Sequence, residues 1–190
     1  MTNANLRLLD QAELFHTALQ ASSDGDSVTA IACLKEAVAR PDATAGAHYL
    51  LGAEYAQIQL YDRGIDAMEA AIALDPALHM ARLQLGLLYL GKGSNDRAAD
   101  VLAVLEQLDE LDPLRHFGSG LLHLIGDERE AARNALEKGI GLNTAAPALN
   151  ADMQRVVQEI GLLAPAPEPA PAAEAQPHVL LSAYAFNRTQ

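Results

Sequence analysis

Small and apolar residues recur along the chain at intervals of 34 residues. Gly52, Gly86 and Gly120 form one such column. Because several independent columns share this one period, we predict that the chain is built from repeated units of that length. The further columns are Ala30, Gly64, Ala98 and Ala132; Leu34, Met68, Leu102 and Leu136; and Ala37, Ala71, Leu105 and Gly139.

Each predicted unit contains two helical segments joined by a short turn. The units cover residues 11–44, 45–78, 79–112 and 113–146, and turn-forming residues such as Gly126 and Asp127 divide them. Ala and Leu, which favour helices, dominate the apolar residues. The small column residues would let the two helices of a hairpin approach closely. After the fourth unit, apolar residues at a helical period predict a single capping helix over residues 147–161.

The second unit carries the fullest version of the pattern. It reads His48-x-x-Leu51-Gly52-x-x-Tyr55, then Gly64-x-x-x-Met68-x-x-Ala71, then Pro76. This resembles the tetratricopeptide repeat (TPR) family, with His48 where that family usually has Trp. The resemblance extends over residues 11–162. It implies an all-α fold, a right-handed superhelix of about four TPR helical hairpins with the capping helix at its end, so that residues 1–162 form one TPR domain.

The other units depart from the family pattern in places. The first unit has Ala18 and Ala21 where the family has Gly and Tyr. Terminal repeats are expected to be atypical, because one side of them has no neighbouring repeat. In the third unit, Pro113 comes three residues after Glu110, which occupies the usual proline position. This spacing predicts a longer second helix in that unit.

The resemblance also implies a binding surface. TPR ligands usually lie in a concave groove lined by the first helix of each unit. TPR proteins that grip a chaperone's C-terminal carboxylate carry Lys, Arg and Asn there. The corresponding positions of this chain are apolar instead, so we expect a hydrophobic peptide or an amphipathic helix as ligand. Alternatively, a tighter superhelix, a homodimer or the chain's own tail buries them. They are Phe15, Leu19, Tyr49, Ala53, Met80, Leu83, Leu87, Leu90, Phe117, Leu121 and Leu124.

The chain beyond the repeats has a different composition. Residues 163–177 are rich in Pro and Ala and predict an extended linker. Residues 178–190 form a C-terminal peptide that is predominantly apolar. We expect this peptide to bind a partner or the chain's own groove. Its candidate interaction residues are Val179, Leu180, Leu181, Tyr184 and Phe186.

Charge and cysteine content narrow the partners and the compartment. The formal net charge is -12, with 13 basic residues against 25 carboxylates. Nucleic acids and anionic membranes are therefore not expected as partners, whereas a protein segment is. No run of residues has the length and apolarity of a membrane span or a signal peptide. With Cys33 as its single cysteine, the chain cannot form an internal disulfide, so we expect a cytoplasmic protein. The compact all-repeat architecture indicates a bacterial style of protein.

Motifs of catalysis and of cofactor binding are absent from the sequence. It has no phosphate-binding loop, no His-Glu-x-x-His, no Cys-x-x-Cys and no Gly-x-Ser-x-Gly. His48, His116 and His123 occupy helix-packing positions of the repeat. We therefore predict no enzyme activity, no cofactor and no metal site. The predicted function is a protein-interaction adaptor or scaffold. Association of the chain into a homo-oligomer is one of the alternatives that the sequence leaves open. The alternatives are an acidic TPR-type chaperone for secreted or aggregation-prone proteins and a regulatory subunit of a larger machine.

Overall fold

The computed structural model describes residues 6–162, and nine α-helices and one 3₁₀ helix lie wholly within them. The predicted linker, residues 163–177, and the predicted apolar peptide, residues 178–190, lie outside the described residues. The helices are α1 (Gln11–Ser23), α2 (Ser27–Val38), α3 (Ala45–Gln57), α4 (Tyr61–Leu74), α5 (His79–Gly91), α6 (Asn95–Ala103), the 3₁₀ helix Val104–Gln107, α7 (Pro113–Ile125), α8 (Arg129–Leu142) and α9 (Pro147–Leu162).

The chain divides into two compact units, Met1–Leu88 and Tyr89–Gln190, with the boundary inside α5. In unit 1, α1 packs against α2 and α3 packs against α4, and α2 also contacts α3. In unit 2, α7 packs against α8, α6 and the 3₁₀ helix contact α7, and α9 covers α8. Both units are thus built from helical hairpins.

Column residues without a large side chain let the helices of a hairpin come into close contact. A Cβ atom on Gly52 of α3 would lie 3.1 Å from the carbonyl oxygen of Gly64 on α4. A Cβ atom on Gly120 of α7 would lie 3.1 Å from the carbonyl oxygen of Ala132 on α8. Real Cβ atoms seldom approach a backbone oxygen so closely, so a larger residue would push the helices apart. The prediction that the columns permit close packing is confirmed at both contacts.

The turns between paired helices form a further column that the residue types do not reveal. Gly25, Gln59, Gly93 and Asp127 are 34 residues apart, and all four have positive φ angles, between 60° and 76°. One backbone hydrogen bond also recurs at this interval. The N–H of the residue that follows each turn residue donates to the carbonyl of the residue four positions before that turn residue. This left-handed turn is a usual way to end a helix and start the next element. The backbone therefore takes the same conformation at each of these four turns.

The second helix of the third unit is shorter than the sequence predicts, so that prediction was wrong. α6 ends at Ala103, and the chain continues as the 3₁₀ helix. Leu105 occupies a column that holds alanine or glycine in the other units, and its side chain is fully buried. It packs against Gly118 of α7, where a Cβ atom would lie 2.9 Å from the Leu105 Cβ. The tighter 3₁₀ winding accommodates this larger side chain beside α7.

The capping helix α9 is held to α8 by a polar cluster and an apolar face. The side-chain oxygen of Asn143, which is buried, accepts a hydrogen bond from the Ala146 N–H at 3.2 Å. The Asn143 amide donates to the Asn150 side chain at 2.8 Å, and the Asn150 amide donates back to the Asn143 carbonyl. The apolar residues Met153, Val156 and Ile160 are buried. Asn143 thus fixes the turn that places α9 over the last hairpin.

Candidate functional site

The predicted groove residues of unit 1 remain at least partly accessible, with one exception. Leu19 on α1 is 46% exposed, whereas Leu83 on α5 is fully buried. The others are partly buried. We call the accessible set the unit-1 face: Phe15, Leu19, Tyr49, Ala53, Met80 and Leu87.

The predicted groove residues of unit 2 are buried, and the accessible surface is therefore smaller than the sequence implies. Phe117 is fully buried in the α7–α8 hairpin, where a Cβ atom on Gly139 would lie 2.6 Å from its ring. The absence of a side chain at Gly139 makes room for the ring. Leu90, Leu121 and Leu124 are buried as well. In the structure these four side chains are core residues.

Two residues of the unit-1 face contact a neighbouring first helix. The ring of Phe15 on α1 lies over the first turn of α3, where a Cβ atom on Gly46 would be 3.6 Å from the ring. Tyr49 on α3 hydrogen-bonds the side chain of Gln84 on α5. Burial raises the pKa of the Tyr49 hydroxyl, and this hydrogen bond partly opposes the shift. The hydroxyl is therefore neutral near pH 7.

A buried carboxylate lies beside the unit-1 face, and sequence reasoning missed it. Glu54 on α3 is 2% exposed, and the Ser22 hydroxyl of α1 donates a hydrogen bond to its Oε1. Its Oε2 is buried and has no hydrogen-bond partner among residues 6–162. Glu54 directly follows Ala53 in the sequence, and Ser22 lies one helical turn after Leu19. Glutamate on a helix is usually exposed, so the sequence held no signal for this burial.

The three histidines singled out in the sequence lie in three different environments. His48 on α3 is partly buried, and burial lowers its pKa. His116 is buried and its Nε2 pairs with the Glu110 carbonyl oxygen at 2.7 Å. His123 pairs with the Glu128 carboxylate near the surface. Within the described part of the chain, no group of three His, Cys, Asp or Glu side chains is arranged to hold a metal ion.

A concave surface of about 370 Å³ lies along α2. Val28 at its edge is 81% exposed. Because charged and apolar side chains alternate around it, it does not indicate one class of ligand, and the unit-1 face is the stronger candidate. The lining residues are Leu6, Arg7, Val28, Ile31, Ala32, Lys35 and Glu36.

None of the helices within residues 6–162 is both long enough and apolar enough to cross a bilayer.

Comparisons with known proteins identify the repeat. Residues 45–78 match the family model of the tetratricopeptide repeat. No curated protein matches the sequence. Among solved structures, TTC0263, a thermophilic TPR protein in Thermus thermophilus, is 18% identical with a TM-score of 0.64, over 80% of this chain and 82% of that chain.

Two structures of MamA are also similar to this chain. One crystal structure is 25% identical with a TM-score of 0.60, over 70% of this chain and 78% of that chain. MamA from Desulfovibrio magneticus RS-1 is 18% identical with a TM-score of 0.58, over 83% of this chain and 99% of that chain. These similarities confirm the predicted all-α helical-repeat fold. Residues 45–78 are thus a tetratricopeptide repeat, and the chain has the all-α helical-repeat fold of TPR proteins, which are typically protein-interaction modules without enzyme activity.

Proposed function

We propose that this protein is a non-enzymatic adaptor whose unit-1 face binds an apolar peptide or helix of a partner protein. The observation that carries the proposal is the accessibility of that face. Its six side chains stay at least partly open to solvent, although all of them are apolar or aromatic. Contiguous apolar surface on a folded protein usually marks an interaction site.

The chemistry of the face favours an apolar ligand. Phe15 and Tyr49 offer two ring surfaces, and Leu19 extends nearly half of its side-chain area into solvent. Removing apolar surface from water contributes roughly 25 cal/mol per Å². Part of that gain offsets the loss of translational and rotational freedom on association, so the buried area alone does not set the affinity.

Photo-crosslinking from the full chain tests the location of the site. A photoreactive phenylalanine analogue at Leu19 should capture a partner polypeptide in cells of the source organism. The same analogue at Leu74, which is 54% exposed on α4, provides a control outside the face. Equal capture at both positions would count against the proposal.

The captured partner then allows a quantitative test. Leu19→Asp should weaken binding about tenfold to a hundredfold in calorimetry, because a charge replaces a leucine that would be buried in the complex. Leu74→Asp makes the same change elsewhere and should leave the affinity unchanged. An unaltered dissociation constant for Leu19→Asp would show that the partner binds another surface.

A chaperone function is the second candidate, supported by the net charge of -12 together with the open apolar face. A like-charged surface keeps a complex with an aggregation-prone segment in solution. The full chain should then suppress the aggregation of reduced insulin chains, and Leu19→Asp should abolish the effect. Suppression that is equal for Leu19→Asp and Leu74→Asp would exclude the unit-1 face as a chaperone site.

A further inference from the structure

Glu54 is the only carboxylate that is buried within residues 6–162. The Ser22 hydroxyl satisfies Oε1, while Oε2 has no partner among the described residues. Burying a carboxylate oxygen without a hydrogen bond or a counter-charge is strongly unfavourable. A group with N–H donors and a positive charge would therefore gain by binding at this position.

The helices around Glu54 add to the preference for a cation. Ser22 is in the last turn of α1, which ends at Ser23, and Glu54 is in the last turn of α3, which ends at Gln57. The C-terminal end of a helix carries a partial negative charge. Both helix ends thus increase the negative potential at the carboxylate and do not compensate for it.

The position of this carboxylate specifies the ligand more closely than the apolar face does alone. Glu54 is adjacent to Ala53, and Ser22 is one turn beyond Leu19, so the acidic group borders the unit-1 face. A ligand that suits both features is an apolar segment with one cationic side chain near its end. Arginine is the best cation for this purpose, because its planar guanidinium presents several N–H donors to a carboxylate and is weakly hydrated.

The chain itself contains a segment of this kind. Residues 178–190 have no Asp or Glu and contain one arginine, Arg188, in a protein whose net charge is -12. Tyr184, Phe186 and Arg188 alternate along the segment, so an extended conformation would direct all three to one side. The linker of residues 163–177 could span roughly 45 Å at about 3.1 Å per residue. Charge and spacing therefore match the segment to the face and its carboxylate.

We propose that residues 178–190 bind the unit-1 face and that Arg188 pairs with Glu54. The proposal rests on the proposed function of that face and names both an occupant and its anchor. Phe186 and Tyr184 would cover apolar side chains of the face, and the guanidinium would donate to the unpartnered Oε2. The segment then competes with any external partner for the same surface.

Hydrogen exchange on the full chain tests the pair. In the wild type, the amides of residues 178–190 should be protected relative to the rate of an unstructured peptide. Glu54→Gln and Arg188→Gln should each reduce that protection by roughly tenfold to a hundredfold, since each removes a charge-assisted hydrogen bond. The double variant should lose no more than either single variant. Glu137→Gln on the exposed side of α8 removes the same charge and should have no effect.

The outcomes separate this proposal from the proposed function. Exchange of residues 178–190 at the unstructured rate in the wild type would overturn the proposal that they bind the unit-1 face. Crosslinking from Leu19 to another protein would still support that face as a binding site. If Leu19→Asp removes the protection but Glu54→Gln leaves it intact, the segment binds the face and only the pairing of Arg188 with Glu54 is overturned. Because Arg188 lies outside the described helices, its substitution tests the pair even if Glu54→Gln alters the fold. Protection that rises with protein concentration would overturn binding within one chain and would indicate binding to a second copy.

Discussion

Replacing Gly120 by alanine places a methyl group in the contact between helices α7 and α8. The new Cβ would lie 2.7 Å from both Cγ and Cδ2 of Leu136 and 3.1 Å from the carbonyl oxygen of Ala132. Leu136 is fully buried, so its side chain cannot turn into solvent. The carbonyl belongs to the helix backbone, so relief there requires the two helices to separate. Gly141, also in α8, has no heavy atom within 4 Å of the position of its would-be Cβ.

Replacement of glycine by alanine should therefore have opposite effects on stability at the two positions. Overpacking of a core destabilises the folded state by about 1–3 kcal/mol, and the higher helix propensity of alanine offsets up to about 1 kcal/mol of this loss. Gly120→Ala should lower the free energy of unfolding by about 1–2 kcal/mol. Gly141→Ala meets no obstacle and should raise it by about 0.5 kcal/mol, less than the full propensity difference because the last helical turn is only partly ordered.

Urea unfolding followed by circular dichroism at 222 nm measures both changes. A change of 1 kcal/mol corresponds to roughly 2–4 °C in melting temperature for a chain of this size. Repeat proteins can unfold in parts, so hydrogen exchange in α7 and α8 should also be measured. It should rank Gly120→Ala, the wild type and Gly141→Ala in the same order of stability as urea unfolding does. A Gly120→Ala variant as stable as the wild type would refute the argument that the glycine column is required for close helix contact.

Three further predictions concern a turn, a histidine and the cap of the last hairpin. Gln59 has a φ of 64°, and a side chain in this conformation costs about 1 kcal/mol, so Gln59→Gly should stabilise the chain by that amount in urea unfolding; a loss of stability would refute it. Burial holds the His48 pKa below its ordinary value of about 6.5, so stability should fall as pH decreases through that value. His48→Gln should reduce this acid sensitivity, with His16→Gln as the control, and an unchanged pH profile would contradict it. Asn143→Ala leaves buried hydrogen-bond groups unpaired and should cost about 1–3 kcal/mol, and a cost below about 0.5 kcal/mol would refute the role of that cluster.

The repeat could be predicted because it depends on residue types that physical constraints restrict. A position such as Gly52, where a Cβ would meet a backbone carbonyl, tolerates few alternatives, so the column is visible in the sequence. The turn column is equally regular in its backbone, yet Gln59 and Asp127 alternate with glycines in it. A left-handed residue costs only about 1 kcal/mol when it is not glycine, and such a cost does not fix the residue type.

The candidate site could be predicted only in part, because accessibility depends on neighbours that are distant in the sequence. Glu54 is buried beside Ser22, which is 32 residues earlier, and no local pattern distinguishes it from an exposed glutamate. Leu83 and Leu87 lie on the same helix with the same apolar character, although one is fully buried and the other is partly accessible. Repeat position thus predicts the direction of a side chain better than its exposure.

Aromatic residues at one repeat position, Phe15, Tyr49 and Phe117, differ in how deeply they are buried. The methyl group that distinguishes alanine from glycine in a neighbouring column accounts for this difference. Phe117 is fully buried, and an alanine at Gly139 would place its Cβ 2.6 Å from that ring. The same column holds Ala37 and Ala71 in the two hairpins of unit 1, whose aromatic residues Phe15 and Tyr49 are only partly buried. An alanine in this column leaves less depth for a ring than glycine does, so the ring stays nearer the surface. At this repeat position, the difference between alanine and glycine agrees with a ring that is partly accessible in unit 1 and buried in unit 2.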